Sequence, residues 1–127
     1  MPLFGGGGDK AAQQAAAQAE FERLSTIPRS QLAAEVLPVF APGQPGSRNP
    51  GRGLNMLQIM IWLMSAYPRA TGFFTRLEMP VREALQLLEN AGLVLRLGDR
   101  TGGSHLVATT LGLQALAQGT AAEYLPH

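Results

Sequence analysis

Few residues in this chain have the chemistry of a catalytic centre. There are two histidines and no cysteines, so thiolate nucleophiles and thiolate metal sites are excluded. His105 follows Ser104 in an alternating segment, but neighbours on a strand point to opposite faces and do not form a nucleophile and its base. The sequence holds no HExxH zinc motif and no phosphate-binding loop. We therefore expect the protein not to be an enzyme and to need no cofactor or metal ion.

Arginine is the remaining residue type suited to recognition. Nine of the ten basic residues are Arg, with Lys10 the exception. A guanidinium recognises phosphate and base edges through paired N–H donors, although a GC-rich genome would produce the same preference for Arg over Lys. The net charge is only +1, whereas nucleic-acid binders are often strongly basic. Composition therefore leaves nucleic acid and protein open as ligands.

The chain divides into four stretches by composition. Residues 1–10 contain four consecutive glycines and are expected to form a flexible N-terminus. Residues 11–40 predict an N-terminal helical extension, and residues 41–53, with four Gly and three Pro, predict a linker. Residues 54–127 carry the strongest periodic patterns and are expected to form the main domain.

Two helices are predicted ahead of the linker. The first is rich in Ala, Gln and Glu, and runs to Leu24 from an N-cap at Asp9. Its apolar face is weak, so this helix is not expected to be stable on its own. The second begins at an N-cap on Ser30 and runs to Phe40, and Pro38 should kink or end it.

A strongly apolar helix is predicted from Leu54 to about Ala66. Apolar side chains cover nearly its whole circumference, so it must be buried on more than one side. Either the N-terminal helices or a second copy of the chain must supply the cover, and we expect a homodimer. The side chains expected to contact the second copy or another protein partner are Met56, Met60, Trp62 and Met64.

Neither a membrane segment nor a secretion signal is predicted. The most apolar run, from Leu54 to Tyr67, is shorter than the roughly 20 residues that a helix needs to cross a bilayer. The N-terminal residues MPLFGGGGDK lack the basic start and the apolar stretch of a signal peptide. We therefore expect a cytoplasmic protein without membrane contact.

The best-defined helix is predicted from Pro80 to about Asn90, after a short helix at residues 73–77. Its apolar residues recur with helical spacing and separate two faces. The apolar stripe consists of Val81, Ala84, Leu85, Leu88 and Ala91. The polar face consists of Arg82, Glu83, Gln86, Glu89 and Asn90. Gly92 then permits the left-handed turn that ends the helix.

A β-hairpin and a last helix complete the pattern. Leu93–Leu97 and Ser104–Ala108 predict two strands around a glycine-rich turn. Thr109 is the expected N-cap of a helix from Thr110 to about Tyr124. The side chains expected to face inward from this helix are Leu111, Leu113 and Leu116.

Two motifs around the hairpin resemble those of the MarR and PadR families of bacterial transcriptional regulators. Those families carry the pattern Leu-x-x-Leu-Glu-x-x-Gly-Leu-Val, which is matched here by Leu85, Leu88, Glu89, Gly92, Leu93 and Val94. They also carry Tyr-x-Leu-Thr-x-x-Gly after the hairpin, and Thr109 and Gly112 match it. Leu106 and Ala108 depart from that second pattern. The resemblance covers about residues 54–118 and implies a mainly α fold with a small β-hairpin, a winged helix-turn-helix preceded by an N-terminal helical extension.

The resemblance implies a small dimeric regulator that binds double-stranded DNA. The helix ending at Asn90 would enter the major groove as the recognition helix, and the hairpin would contact the backbone as the wing. We expect Arg82 to contact a base edge and Arg100 to contact phosphate. The full set expected to contact DNA is Thr75, Arg76, Arg82, Glu83, Gln86, Arg96, Arg100, Thr101 and Ser104.

The charge of the expected recognition face does not favour DNA. The polar face of that helix carries Arg82 together with Glu83 and Glu89, so acidic groups outnumber basic ones. Affinity for a duplex depends strongly on neutralising phosphates. The alternative is a winged-helix module that binds another protein and not DNA.

Overall fold

The computed structural model describes residues 5–41, 53–98 and 104–126. Within them the protein is mainly α-helical with one small antiparallel hairpin, as the sequence predicts. The α-helices are α1 (Gly5–Thr26), α2 (Arg29–Val36), α3 (Met56–Ala66), α4 (Glu78–Asn90) and α5 (Thr110–Gln118). The strands are β1 (Val94–Gly98) and β2 (Ser104–Ala108). Turns of 3-10 helix occupy Leu37–Phe40, Pro68–Leu77 and Ala121–Tyr124.

The two N-terminal helices begin earlier than the sequence predicts. α1 starts at Gly5, so Asp9 lies within the helix and is not its N-cap. Each glycine is about 1 kcal/mol less favourable than Ala in a helix interior, so the good helix formers that follow supply the helical stability of α1. α2 starts at Arg29. The carbonyl of Pro28 accepts from the amides of Gln31 and Leu32, so the N-cap is Pro28 and not Ser30. Pro38 converts the end of this helix to a 3-10 turn, which confirms the expected break.

The start of α3 is fixed by a reciprocal cap that the sequence analysis overlooked. The Asn55 side chain accepts from the Gln58 amide at 2.8 Å, and the Gln58 side chain accepts from the Asn55 amide at 2.9 Å. Leu54 therefore lies outside the helix. Its backbone pairs instead with Leu106 of β2 through two hydrogen bonds of 2.8 Å. The predicted linker ahead of it lies outside the described residues, apart from its two end positions.

The apolar helix α3 is covered by the chain's own N-terminal helices on one side. Leu24 of α1 and Leu32 of α2 line a small apolar cavity together with Met60 and Leu63 of α3. These four side chains belong to one continuous core. The described residues leave the opposite side of α3 uncovered, and Leu57 and Ile61 there are 62% and 50% exposed. α3 is therefore half-buried within this chain.

Helix α4 buries the apolar stripe that its spacing predicts. Val81, Ala84, Leu85 and Leu88 are all buried, and α4 packs along α2. The helix starts at Glu78, two residues before the expected first residue, Pro80. Proline is tolerated there because the first amides of a helix have no intrahelical partner.

A close junction joins the end of α4, the hairpin and α5. Gly92 has the left-handed φ of +78° that the sequence predicts. Thr109 caps α5 as expected: its hydroxyl accepts from the Gly112 amide at 3.0 Å and donates to the Gly92 carbonyl at 2.6 Å. A Cβ on Gly112 would overlap the carbonyl oxygen of Leu93. The two motifs that carry the family resemblance are therefore in direct contact.

The last helix is shorter than the sequence predicts. α5 ends at Gln118 because Gly119 adopts a left-handed φ of +67°. Leu111 and Leu116 are partly buried as expected, whereas Leu113 faces outward and Ala115 fills the core position. None of the helices described here has both the length and the apolar character needed to span a bilayer.

The buried stripe of α4 gives the first test. Leu88 is fully buried, so Leu88→Ala should lower the free energy of unfolding by about 2–5 kcal/mol through lost burial and a residual cavity. Gln86→Ala, on the exposed side of the same helix, should change it by less than about 0.5 kcal/mol. Urea denaturation followed by circular dichroism measures both values. Similar losses for the two variants would mean that α4 is rotated about its axis.

Candidate nucleic-acid interface

The exposed side of α4 is a continuous surface opposite its buried stripe. Arg82, Glu83, Gln86 and Asn90 are exposed on it, as the sequence predicts. Met79 also lies there and is 65% exposed, although the sequence analysis did not assign it to this face. Helical spacing would have found it, since residues 79, 82, 86 and 90 follow one another at intervals of three or four.

The acidic residues at the two margins of this surface are paired with arginines from neighbouring elements. Glu83 accepts from Nε of Arg29 in α2 at 3.1 Å. Glu89 accepts from Nη2 of Arg96 in β1 at 3.4 Å. Exposed pairs of this kind contribute only about 0–1 kcal/mol to stability. Their main effect here is to compensate the negative charge at both edges of the α4 surface.

Arg29 is held at its position by more than its ion pair. Its guanidinium donates to the carbonyl of Ile27 at 3.2 Å and to the carbonyl of Ser25 at 3.1 Å. These contacts join the end of α1 to the start of α2. Glu83 is therefore drawn towards α2, away from the middle of the exposed surface.

Neutral amides occupy the middle and the end of the α4 surface. The Gln86 side chain donates to the Asn90 side chain at 2.8 Å, one helical turn away. Such a pair keeps donors and acceptors available on the outer side of the helix. Arg82 stands one turn before Gln86, and its Nη2 lies 3.6 Å from a carboxylate oxygen of Glu78. That distance allows attraction between the charges but is too long for a hydrogen bond.

A groove of about 450 Å³ lies between the start of α3, α4 and β1. Its polar lining consists of two guanidinium groups, Arg82 and Arg96, and two amides, Asn55 and Gln86. The rest of the lining is apolar and consists of Leu54, Met56, Leu57, Leu85 and Leu106. Among the described residues, no acidic side chain belongs to this lining. Each of its two arginines lies within 4 Å of a carboxylate outside this lining, Arg82 of Glu78 and Arg96 of Glu89.

The remaining residues expected to contact DNA are only partly placed. Thr75 and Arg76 are exposed in the 3-10 segment that precedes α4. Ser104 is the first residue of β2, and its side chain is outside the described part of the structure. Arg100 and Thr101 lie outside the described residues altogether.

The four side chains expected to contact a second copy or a protein partner do not share one exposed surface. Met60 is 2% exposed and belongs to the core of this chain. Met56, Trp62 and Met64 are partly buried against the same core or its cavity. The exposed apolar side chains of α3 are instead Leu57 and Ile61. Their spacing of four residues places them on one side of the helix.

A half-buried cluster of ionisable groups joins the N-terminal helices to the segment after α3. Glu35 of α2 accepts two hydrogen bonds from Arg23 of α1, at 3.1 and 2.9 Å, and one from the Tyr67 hydroxyl at 2.6 Å. The Arg23 guanidinium also lies 5.7 Å from the centre of the Tyr67 ring. Sequence offered no signal for this cluster, because its members are separated by up to 44 residues.

The pKa values of the cluster reflect these contacts. Burial alone would raise the pKa of Glu35, but the hydrogen bonds from Arg23 and Tyr67 hold it below its usual value. Burial and the hydrogen bond to Glu35 raise the pKa of Tyr67 to about 12. The hydrogen bond to Glu35 also raises the pKa of Arg23. All three groups therefore keep their neutral-pH charge states, and the cluster is a fixed link between elements.

No group of three or more His, Asp or Glu side chains in the described residues is arranged to hold a metal ion. No family model matches the chain, and neither a curated protein nor a solved structure does.

The cluster gives a pH-dependent test. Glu35→Gln should lower the free energy of unfolding at pH 7 by about 1–3 kcal/mol. We expect the lower half of that range because the Arg23 side chain is 39% exposed. Since the pKa of Glu35 is lower in the folded state, its contribution is present above about pH 4.5 and is lost as the pH falls through the folded value. The difference between wild type and variant should therefore shrink on acidification.

Tyr67→Phe is the companion variant at high pH. The raised pKa of Tyr67 stabilises the fold up to about pH 10, and this contribution is lost as the pH rises through about 12. The gap between wild type and Tyr67→Phe should therefore close over that range. Urea titrations at a series of pH values measure both gaps. Gaps that do not vary with pH would show that neither group is bonded as described.

Proposed function

We propose that the protein is a winged helix-turn-helix module that binds double-stranded DNA, in the role of a bacterial transcriptional regulator. In this assignment α3, the 3-10 segment Pro68–Leu77 and α4 form the helical unit, β1 and β2 form the wing, and α2 belongs to the N-terminal extension. An isolated β-bridge joins Leu54, ahead of α3, to Leu106 of β2. α4 takes the place of the recognition helix. The contact between the two resemblance motifs at Gly92, Thr109 and Gly112 supports the assignment.

The observation that carries DNA binding is the pairing of acidic groups at the margins of α4. Glu83 and Glu89 are compensated by Arg29 and Arg96, which belong to neighbouring elements. The surface between them presents an arginine and two amides, the side-chain types that read base edges by paired hydrogen bonds. The excess of acidic residues in the sequence of α4 is therefore not an excess of negative charge at the centre of its exposed surface.

The shape of this surface agrees with a role in the major groove. A B-DNA major groove is about 12 Å wide and admits one α-helix. β1 lies beside the exposed side of α4, and Arg96 lines the protein groove where these two elements meet. Gln86 and Asn90 lie at the middle and the end of α4, and Thr75 and Arg76 precede it. These residues are our candidates for base contacts.

A protein partner is the second candidate, and one observation favours it. Leu57 and Ile61 expose apolar area on the free side of α3. Contiguous exposed apolar surface often marks a protein contact. In that case the module would have no measurable affinity for DNA, and substitution of Ile61 by Ser would weaken the partner complex.

The proposal predicts a specific effect of Gln86→Ala. Loss of a side chain that reads a base should cost about 1–3 kcal/mol on the preferred duplex and relax the sequence preference. The salt dependence of binding should not change, because the residue is neutral. A preferred duplex is first selected from a random pool, and fluorescence anisotropy then measures affinity over a range of salt concentrations.

Gln114→Ala is the matched control for this experiment. Gln114 is exposed on α5, so the same substitution there should leave affinity and preference unchanged. An equal loss in both variants would remove α4 from the interface. A wild-type protein with no measurable affinity for random duplex at low salt would rule out DNA binding and leave the protein partner as the candidate.

A homodimer is also part of the proposal, since winged-helix regulators read two half-sites with two-fold symmetry. The buried side of α3 does not need a second copy of the chain to cover it, because side chains of α1 and α2 from the same chain pack there. Static light scattering at micromolar concentration should give about twice the chain mass of 13.5 kDa. A mass equal to one chain would mean that the protein is not a dimer before it binds DNA.

A further inference from the structure

We propose that Met79 recognises a thymine of the bound duplex, through contact between its side chain and the 5-methyl group of that base in the major groove. This inference deepens the proposed function and rests on it for the identity of the ligand. It adds one apolar contact to the polar base contacts already assigned to α4. It also predicts the type of one base in the preferred sequence.

Met79 lies at the centre of the exposed side of α4. An α-helix has 3.6 residues per turn, so residues seven positions apart, such as Met79 and Gln86, lie almost directly above one another. Leu88, in the buried stripe, follows Met79 by about two and a half turns and therefore points to the opposite side of the helix. The packing that buries Leu88 thus fixes Met79 outward, in line with Gln86.

The Met79 side chain is accessible to a ligand. It is 65% exposed, more than any other large apolar side chain among the described residues. Single apolar side chains are common on protein surfaces and need no partner. Met79 differs from these in its position, because it stands in the first turn of α4, one turn before Arg82. Residues near the start of a recognition helix are those that reach base edges.

Thymine is the base that suits an apolar side chain at this position. It is the DNA base that presents a methyl group in the major groove, and apolar side chains contact that methyl. The unbranched thioether chain of methionine is flexible and polarisable, so it can adapt to a methyl group on the base edge. Removing one group of methyl size from water changes an equilibrium about fourfold. A contact of this size is enough to favour thymine at one position.

The geometry of α4 also predicts the position of this thymine relative to the base that Gln86 contacts. A rise of 1.5 Å per residue places Met79 and Gln86 roughly 10 Å apart along the helix axis. Base pairs in a duplex are stacked at about 3.4 Å. With α4 along the major groove, the thymine therefore lies about two to four base pairs from the position at which Gln86→Ala relaxes the preference.

The experiment removes the thymine methyl and the Met79 side chain separately and together. A preferred duplex is selected from a random pool with the wild-type protein, and each thymine in it is replaced in turn by deoxyuridine, which lacks only the 5-methyl group. At one position this replacement should weaken wild-type binding about fourfold. In Met79→Ala the same replacement should have no effect, because the contact is already lost. Fluorescence anisotropy measures the four affinities.

Two further variants are the controls. Leu113→Ala removes an exposed apolar side chain from α5, and this variant should respond to deoxyuridine as the wild type does. Met79→Leu keeps an apolar side chain of similar size and should keep part of the response. Met79→Ala should leave the slope of log affinity against log salt unchanged, because it removes no charge. Circular dichroism verifies that all variants are folded.

The outcomes separate this inference from the proposed function. If the wild type binds duplex but loses no affinity at any deoxyuridine, or if Met79→Ala loses as much as the wild type, the role of Met79 is overturned and DNA binding stands. A preferred duplex that contains no thymine has the same meaning. A wild type without affinity for any duplex overturns DNA binding and the role of Met79 together.

Discussion

The burial of one side of α4 determines what the rest of the molecule can present. Val81, Ala84 and Leu88 pack into the core with α2 behind them, and this allows only one rotation of the helix about its axis. Burying a Leu or Val side chain contributes about 1.5–3 kcal/mol, several times the value of an exposed ion pair. Packing therefore determines the rotation of α4 about its axis, and this rotation determines where its charged side chains lie. The exposed surface of α4 is a consequence of its apolar stripe.

The electrostatics of that surface depend on position and not on the sum of charges. By sequence, α4 carries three acidic residues and one arginine, which argues against a polyanionic ligand. In the fold, Arg29 is 54 positions from Glu83 and Arg96 is seven positions from Glu89, yet both arginines lie within ion-pair distance of their partners. Like charges that are close in sequence are thus compensated by residues from α2 and β1. A net charge taken over a segment misses this, because it ignores which neighbours the fold provides.

Local signals were sufficient for some elements. The polar and apolar faces of α4, the two strands of the hairpin and the Thr109 cap follow from helical spacing, a glycine-rich turn and a short capping motif, each contained within a few residues. The reciprocal cap of Asn55 and Gln58 has the same kind of signal and could have been found.

Other features depend on contacts between distant residues, and sequence gave them no signal. The pairing of Leu54 with Leu106 replaces the helical start that apolar content suggested. Leu24 and Leu32 meet Met60 and Leu63 of α3 at one cavity, although they precede α3 by more than twenty positions. In the candidate site, Gln86 and Arg82 were expected from the sequence, while the groove that joins Arg82 to Arg96 depends on the placement of β1 against α4.

The anchoring of Phe40 and Leu54 has a consequence for the candidate site. Phe40 is 1% exposed in the core, and Leu54 is 3% exposed and bonded to β2, so both ends of the intervening connection are held by the folded protein. Because Leu54 also lines the groove beside α4 and β1, a change to its backbone pairing would act directly on the surface that α4 presents.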